Sequence, residues 1–561
     1  MQRSAASPST PLSGTPRRIA DAYVDQLVEL NPVIGTLFGV NPGADGFPDY
    51  SPDGHAALAA VERATLARLD AVGDPGDVDE RRAARLLRER LGASLALEAA
   101  GENLRQVDNQ FSPVHQQRFA FLLMPTATDE DWAVVGRRLR NVPAALRGYA
   151  DSLRAGAARG LNAAPRQVET VVEQMDAWLE SDWYRTFVAG GPEAQRAELA
   201  ASADAATAGL AELRAYLSEG YLPAVAGTPD AVGRERYLLS ARHWTGSDLD
   251  LEDAYAYGWE EFHRLEREMR AVAAEILPGE STFAAMQHLV KKGQAIDGEE
   301  EIRVWLQELM ERAISDLDGT HFDLADPIKR VEARIAPPGS AAGPYYTGPS
   351  LDFARPGRTW LPTLGETRFP VWNLVSTWYH EGVPGHHLQL AQWVLVQERL
   401  SRFQVSVGSV SAATEGWALY AERLMDELGY LTDPAHRLGY LSAQMLRAVR
   451  VIIDIGMHLG LNVPAGESYH PGEVWTPQLA AEFLMTHTGT DPEYTRSELT
   501  RYLGQPGQAI SYKLGERAWL AGREAARTAG GAGFDLKAWH MAALSLGSLG
   551  LDDLADELAA L

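Results

Sequence analysis

A mainly α-helical protein with a small β edge is what this sequence predicts. Apolar residues recur at helical spacing through most of the chain, Gly- and Pro-bearing stops punctuate them, and strand-like stretches are confined to two short segments. The periodicity predicts helices over residues 57–72, 80–100, 131–157, 167–179, 192–217, 251–277 and 300–317. Stops such as Gly73-Asp74-Pro75-Gly76 and Ala224-Val225-Ala226-Gly227-Thr228-Pro229 separate them. Strands are expected at 331–336 and 359–364, flanking a loop rich in Gly, Pro and Tyr at 337–357. Helices resume over 371–400, 412–428, 443–461, 477–486 and 508–526. Residues 1–18, rich in Ser, Pro and Thr, read as a disordered leader. The rest reads as one continuous unit, an N-terminal helical half (19–330) covering a C-terminal catalytic half (331–561).

Composition narrows the function classes. With 561 residues and 45% hydrophobic content the chain can bury a large core. It has no cysteine, which excludes disulfides, thiolate metal sites and cysteine nucleophiles and leaves His, Asp and Glu as the strong metal ligands. A net charge of −25 argues against nucleic acid as a partner, because phosphate neutralisation takes clustered Lys and Arg. No apolar signal core is visible in MQRSAASPSTPLSGTPRR, and no uncharged run approaches the roughly 18–20 residues of a membrane span. A soluble cytoplasmic protein that engages no membrane is therefore expected.

One stretch concentrates metal-binding chemistry. Tyr379-His380-Glu381-Gly382-Val383-Pro384-Gly385-His386-His387 sets three imidazoles and a carboxylate within residues 380–387 of an apolar helical run. It resembles the zinc-peptidase pattern H-E-x-x-H, but stretched, since the residue four after His380 is Pro384. In the regular pattern, histidines at i and i+4 share a helix face and grip one zinc, with the adjacent glutamate as general base. Here the next histidines fall at i+6 and i+7. Seven residues of ideal helix rise about 10.5 Å, too far for two Zn–N bonds of about 2.0–2.1 Å to span comfortably. Pro384 breaks the backbone ladder and Gly385 tolerates a bulge. Looping out two residues would deliver His386 as the second ligand, and looping out three would deliver His387. His386 is preferred, and the other histidine would line the site or bind a nearby carboxylate. A catalytic zinc needs a third protein ligand. Glu415, near the start of the next apolar helix (ATEGWALYAE), is the first choice and Glu422, one heptad on, the second. The ordinary alternative for Glu415 is a helix N-terminal charge favoured by the macrodipole.

Other segments offer supporting groups. Over 443–461, Arg447, Arg450, Asp454 and His458 form one polar stripe on a helix otherwise covered by Val449, Ile452, Ile453, Ile455 and Leu459. Such a helix is buried, so its stripe faces partners or a polar cleft, and Asp454 stands where it would orient His458. A structural salt-bridge stripe is an equal reading for the arginines. Gln508 and Tyr512 lie four apart at a helix start, and the tyrosine hydroxyl is a candidate oxyanion donor. The loop with Tyr345-Tyr346, Ser350, Asp352 and Arg355 would form a substrate-binding edge beside the second strand, or simply a surface loop. Arg355, Arg447 and Arg450 are the candidates for capturing a substrate carboxylate, which would favour carboxypeptidase or dipeptidase action.

The strings YHEGVPGHHLQ, EGWALYAERL, RAVRVIIDIGMH and PGQAISYKLG together resemble the bacterial family called domain of unknown function 885. The resemblance spans most of the chain, from IADAYVDQLVELNPVIGTLFG at Ile19 to near Ala525. That family is similar in fold to helical gluzincins such as the Taq-type carboxypeptidases and the angiotensin-converting enzymes. The resemblance implies a large helical, cleft-divided architecture with one zinc ion at its centre. It implies His380, a histidine of the His386-His387 pair and Glu415 as ligands and Glu381 as base. His458 and Tyr512 would stabilise the tetrahedral intermediate. The function expected is a zinc-dependent hydrolase of small peptides, with another divalent ion as an alternative cofactor. A metal-dependent amidase or esterase on a non-peptide metabolite is the second reading, and a non-catalytic binding protein on a degenerate peptidase fold the third.

Overall fold

The computed structural model describes residues 14–38, 41, 43–337 and 343–561. Helices hold 66% of the residues, and the strands are few and short, so the protein is mainly α. Local chemistry accounts for where the helices begin. Ser51, Asp77, Asp250, Asp433 and Asp491 each accept a first-turn backbone N–H, capping Pro52–Asp70, Val78–Ala99, Leu251–Ile276, Pro434–Leu459 and Pro492–Gly504. Proline opens three of these helices, where its missing N–H costs nothing. Thr128 and Asp131 make a reciprocal capping box at the head of Asp129–Ala158.

The helices enclose two hydrophobic cores. The smaller draws on residues from Tyr50 to Val225 and is built chiefly by Asp129–Ala158 packed on Arg196–Ala215. The larger takes in residues from Tyr237 to Leu558 together with Ile19 to Leu27 and several from Leu69 to Leu91. Between Val225 and Tyr237 the chain passes for the last time from the smaller core to the larger. Helix Pro16–Leu30 joins the larger core across the chain, where Tyr23 meets Phe403 edge-on at 5.7 Å between ring centroids.

Two helix pairs dominate the larger core, Leu251–Ile276 on Pro434–Leu459 and Ser411–Glu427 on Ser511–Gly530. The second pair closes at two glycines. A Cβ on Gly416 would lie 2.3 Å from the carbonyl carbon of Gly515, so the backbones touch here. This close approach sets Glu415 on the first helix against the segment carrying Tyr512 on the second.

The five strands among the described residues are β1 (Ala295–Asp297), β2 (Val331–Ile335), β3 (Tyr345–Thr347), β4 (Gly357–Leu361) and β5 (Arg368–Pro370). β1 pairs antiparallel with β5, and the order β2-β4-β3 forms a second small sheet, parallel then antiparallel. The strand expected at 359–364 lies at Gly357–Leu361 instead, because Leu364 sits in a turn at φ 52°.

Several helix bounds also differ from expectation. The helix expected over 371–400 is two, Leu374–Glu381 and His386–Leu395, parted at 382–385. The 443–461 helix starts earlier, at Pro434, where Asp433 caps it. The 508–526 helix starts at Ser511, after a turn that holds Gly507 at φ 79°. Residues 1–13 of the expected leader lie outside the described residues, as do 338–342 of the expected loop, and Pro16–Arg18 open the first helix. No helix among the described residues is long and apolar enough to cross a membrane.

Candidate metal centre

The stretched motif resolves into a bulge of two residues. Helix Leu374–Glu381 stops at Gly382, and the chain re-enters a helix at His386. Across the break the Gly385 N–H bonds the Tyr379 carbonyl, six residues back where an α-helix would bond four back. The two extra residues are absorbed there, and His386 takes the place that i+4 holds in an unbroken helix. Gly385 is required, since a Cβ would lie 1.9 Å from the His380 carbonyl oxygen and 2.4 Å from that of Tyr379. The Trp417 indole N–H then closes the bulge by donating to the Pro384 and Gly385 carbonyls at 2.9 and 3.1 Å. Trp417 comes from the helix that carries Glu415, so one element both supports the bulge and completes the site.

His380, His386 and Glu415 converge. One ligand atom from each lies within 4.8 Å of the others, and no other group of three His, Cys, Asp or Glu side chains among the described residues comes so close. His380 Nε2 is 3.4 Å and His386 Nε2 3.5 Å from the same oxygen, Glu415 Oε2. The two imidazoles stand edge to face, centroids 4.7 Å apart. Glu415 Oε2 is buried and has no hydrogen-bond partner of good geometry. Two imidazole nitrogens and a buried, under-satisfied carboxylate oxygen aimed at one point are the donor set of a His₂Glu metal site. The residues present therefore fit a divalent metal ion.

Glu422 does not join the three. Its Oε1 accepts from His380 Nδ1 at 2.8 Å and its Oε2 from the Ser376 hydroxyl at 2.6 Å. It orients the imidazole and leaves Nε2 for the site, as the carboxylate behind a metal-binding histidine does. His387 turns away. Its Nε2–H donates to the Ile328 carbonyl at 2.6 Å, and the Tyr346 hydroxyl meets its Nδ1 at 2.9 Å. Burial pushes its pKa down to about 4, so it is neutral and holds β3 to the helix without lining the site.

The electrostatics follow from carboxylates crowding two imidazoles. Burial opposes charging His380, but the Glu415 carboxylate beside Nε2, the hydrogen bond to Glu422 and the nearby Glu381 raise its pKa to about 9. Burial likewise raises Glu415, yet His380 and His386 outweigh it and hold the carboxyl well below the usual range. Glu381 is raised, chiefly by burial and against the pull of His380 and His386. Only 7% of it is exposed, and its carboxylate receives no hydrogen bond from the described residues. A carboxyl with a raised pKa beside a metal donor set suits proton transfer.

The remaining predicted residues separate into two groups. Tyr512 belongs to the neighbourhood: burial and Glu415 raise its pKa, and the Arg447 and Arg450 guanidiniums lie 5.7 and 5.0 Å from its ring centroid. His458 is not brought there as an oxyanion donor. It is fully buried, its Nδ1 accepts the Val232 N–H at 3.3 Å, and its Nε2–H donates to the Tyr502 carbonyl at 3.1 Å. Asp454 does not orient it, standing 3.8 Å away while its Oδ2 accepts from the Tyr237 hydroxyl and the Gly507 N–H. Gln508 precedes its helix and accepts from Arg501. Arg450 is consumed by Glu498 and Tyr502. Arg355 is exposed on its loop, with its backbone N–H bonded to the Ser350 hydroxyl. Sequence reasoning passed over helix Pro492–Gly504, whose Glu498, Arg501 and Tyr502 build the wall behind Tyr512. Their spacing of three and four on one helix was the available signal. Two surface grooves, of about 210 and 380 Å³, contain none of the site residues.

Fold and site together define a mainly helical protein with a two-histidine, one-glutamate candidate metal centre. The chain belongs to the family described as bacterial protein of unknown function (DUF885), which matches residues 32–558. No curated protein matches the sequence. Among solved structures, the fold is similar to a "putative lipoprotein" from Colwellia psychrerythraea at 21% identity and TM-score 0.81, covering 98% of this chain and 99% of that one. It is also similar to a "putative lipoprotein of unknown function" from Shewanella oneidensis at 20% identity and TM-score 0.74, covering 97% of this chain and 99% of that one. Neither is described as a peptidase. Their descriptions as lipoproteins overturn the cytoplasmic location expected from the sequence.

Proposed function

We propose that this protein is a metal-dependent hydrolase, with zinc the preferred ion, that cleaves peptide bonds of small peptides. The observation that carries the reading is the convergence of His380 and His386 Nε2 on Glu415 Oε2, with Glu381 one residue from the first ligand. In this reading His380, His386 and Glu415 hold the ion, and the architecture is that of the helical gluzincins. A bound zinc supplies Lewis acidity and lowers the pKa of water toward roughly 7. Glu381 accepts the proton of the attacking water, whose oxygen forms the new C–O bond as the C–N bond breaks. It then returns that proton to the leaving amine. Tyr512 stands ready to donate to the oxyanion, its phenol kept protonated by burial and by Glu415. Glu422 keeps the His380 ring in register. An exported or membrane-anchored location follows the descriptions of both structural neighbours.

The test is metal content and turnover in parallel. The zinc-loaded protein should hold one ion per chain and hydrolyse members of a di- and tripeptide library. Glu381→Gln should keep the ion and lose nearly all hydrolysis. Turnover retained in that variant would remove Glu381 as the base, and hydrolysis confined to small amides or esters would change the substrate class.

A further inference from the structure

Three arginines gather behind Tyr512, and only two of them are paired. Arg450 Nη2 and Arg501 Nη2 both donate to Glu498 Oε2, at 2.6 and 2.8 Å, and Arg501 Nε donates to Oε1 at 3.0 Å. The Tyr502 hydroxyl donates to the same Oε2 at 2.6 Å and accepts from Arg450 Nε at 2.8 Å. Among the described residues, that knot uses the only carboxylate paired with this wall. Arg447, one helical turn before Arg450, is left over. Its Nη1 donates to the Ala443 carbonyl of its own helix at 3.1 Å, and its Nε is buried with no acceptor. No carboxylate pairs with it among the described residues.

The unpaired guanidinium faces the candidate site. It lies over the Tyr512 ring, and its charge acts on Glu381, on Glu422 and on Tyr512 itself. A guanidinium has five N–H donors in a planar fork and cannot shed its charge at ordinary pH. Burying its Nε–H without an acceptor is costly unless an anion completes it. Glu381 and Glu422 feel its charge but form no ion pair with it, so the group that would complete the guanidinium is an anion brought in from outside.

We propose that Arg447 receives the terminal carboxylate of a peptide substrate, so that cleavage falls next to a free C-terminus. This rests on the hydrolase reading above and adds the substrate class to it. Bidentate pairing of carboxylate to guanidinium would fix one end of the peptide while the scissile carbonyl lies at His380, His386 and Glu415. Arg450 and Arg501, held by Glu498, position the wall and take no part in capture.

The experiment measures binding and turnover with matched probes, peptides bearing a free C-terminal carboxylate and the same peptides as C-terminal amides. Binding is read in the zinc-loaded Glu381→Gln protein, so it does not depend on hydrolysis. The free acids should bind at least about tenfold more tightly than the amides, the scale of one charge-assisted hydrogen bond. Arg447→Met should erase that preference, and Arg447→Lys should keep part of it. A melting temperature within a few degrees of the parent's would show that both variants fold. Equal affinity for acids and amides, a preference that survives in Arg447→Met, or tight binding of inorganic phosphate with none of the peptides overturns the proposal. Loss of the preference in a wild-type protein that still cleaves peptides sinks this inference alone. An acid preference that depends on Arg447, in a protein that cleaves nothing, sinks the hydrolase reading alone.

Discussion

Glu422 accepts the Nδ1–H of His380 at 2.8 Å, and its other oxygen is held by Ser376 at 2.6 Å. The pair joins two helices through fully buried polar atoms and decides which imidazole nitrogen points at Glu415. Glu422→Gln should lower zinc affinity by about 10–100-fold while leaving all three ligands in place, the usual cost of losing such a carboxylate. Competition against a chelator of known affinity measures it. Unchanged affinity would reduce the contact to packing.

The two adjacent histidines should separate cleanly. His386→Ala should abolish stoichiometric metal binding. His387→Gln, whose side chain can still donate toward the Ile328 carbonyl, should keep one ion per chain. Elemental analysis of the purified variants gives the answer, and loss of metal in His387→Gln alone would reverse the ligand assignment.

Gly385→Ala probes the bulge. The added methyl would have to displace the His380 carbonyl oxygen, 1.9 Å from where it must sit, and neither atom belongs to a flexible side chain. A destabilisation on the order of 3 kcal/mol or more is expected, together with loss of metal binding, because the backbone that aligns His386 cannot form. Denaturant unfolding and metal titration check both halves.

Stability should carry a pH signature from Asp454. Burial lifts its pKa from 3.8 to about 7, outweighing the Tyr237 and Gly507 hydrogen bonds. Between these values the folded state holds a proton that the unfolded chain has lost. Stability therefore falls as pH rises from about 4 to about 7 and levels off above. Asp454→Asn mimics the protonated form: its amide oxygen can accept from Tyr237 and Gly507, and its NH₂ replaces the unpartnered Oδ1. The variant should gain on wild type across that window, by on the order of 4 kcal/mol at pH 8. Denaturant melts of both proteins at several pH values measure the difference. A constant difference would mean that Asp454 is ionised in the fold throughout.

Helical class and candidate ligands were legible because both are written in short spacings. The two-residue excess between His380 and His386 can be counted along the chain, and Pro384-Gly385 names the place where it is absorbed. Glu415 was legible for a similar reason, lying at the head of the next apolar helix. His458 misled because its stripe looks catalytic by periodicity, while its nitrogens go to Val232, 226 residues away, and Tyr502. By spacing Glu422 is the second choice of ligand, and only its contact with Nδ1 makes it the orienting carboxylate.

By itself the sequence determined the mainly helical class, the chemistry of the donor set and the exclusion of thiolate sites. Each depends on residue type and near spacing alone. Tertiary structure decided which histidine converges on Glu415, where the cores divide and which arginine is left without a partner. Arg447 and Arg450 share one stripe of one helix and differ because Glu498, 48 residues on, reaches the second and leaves the first. Pairing across that distance is set by how helices pack, and side-chain periodicity within one helix carries no record of it.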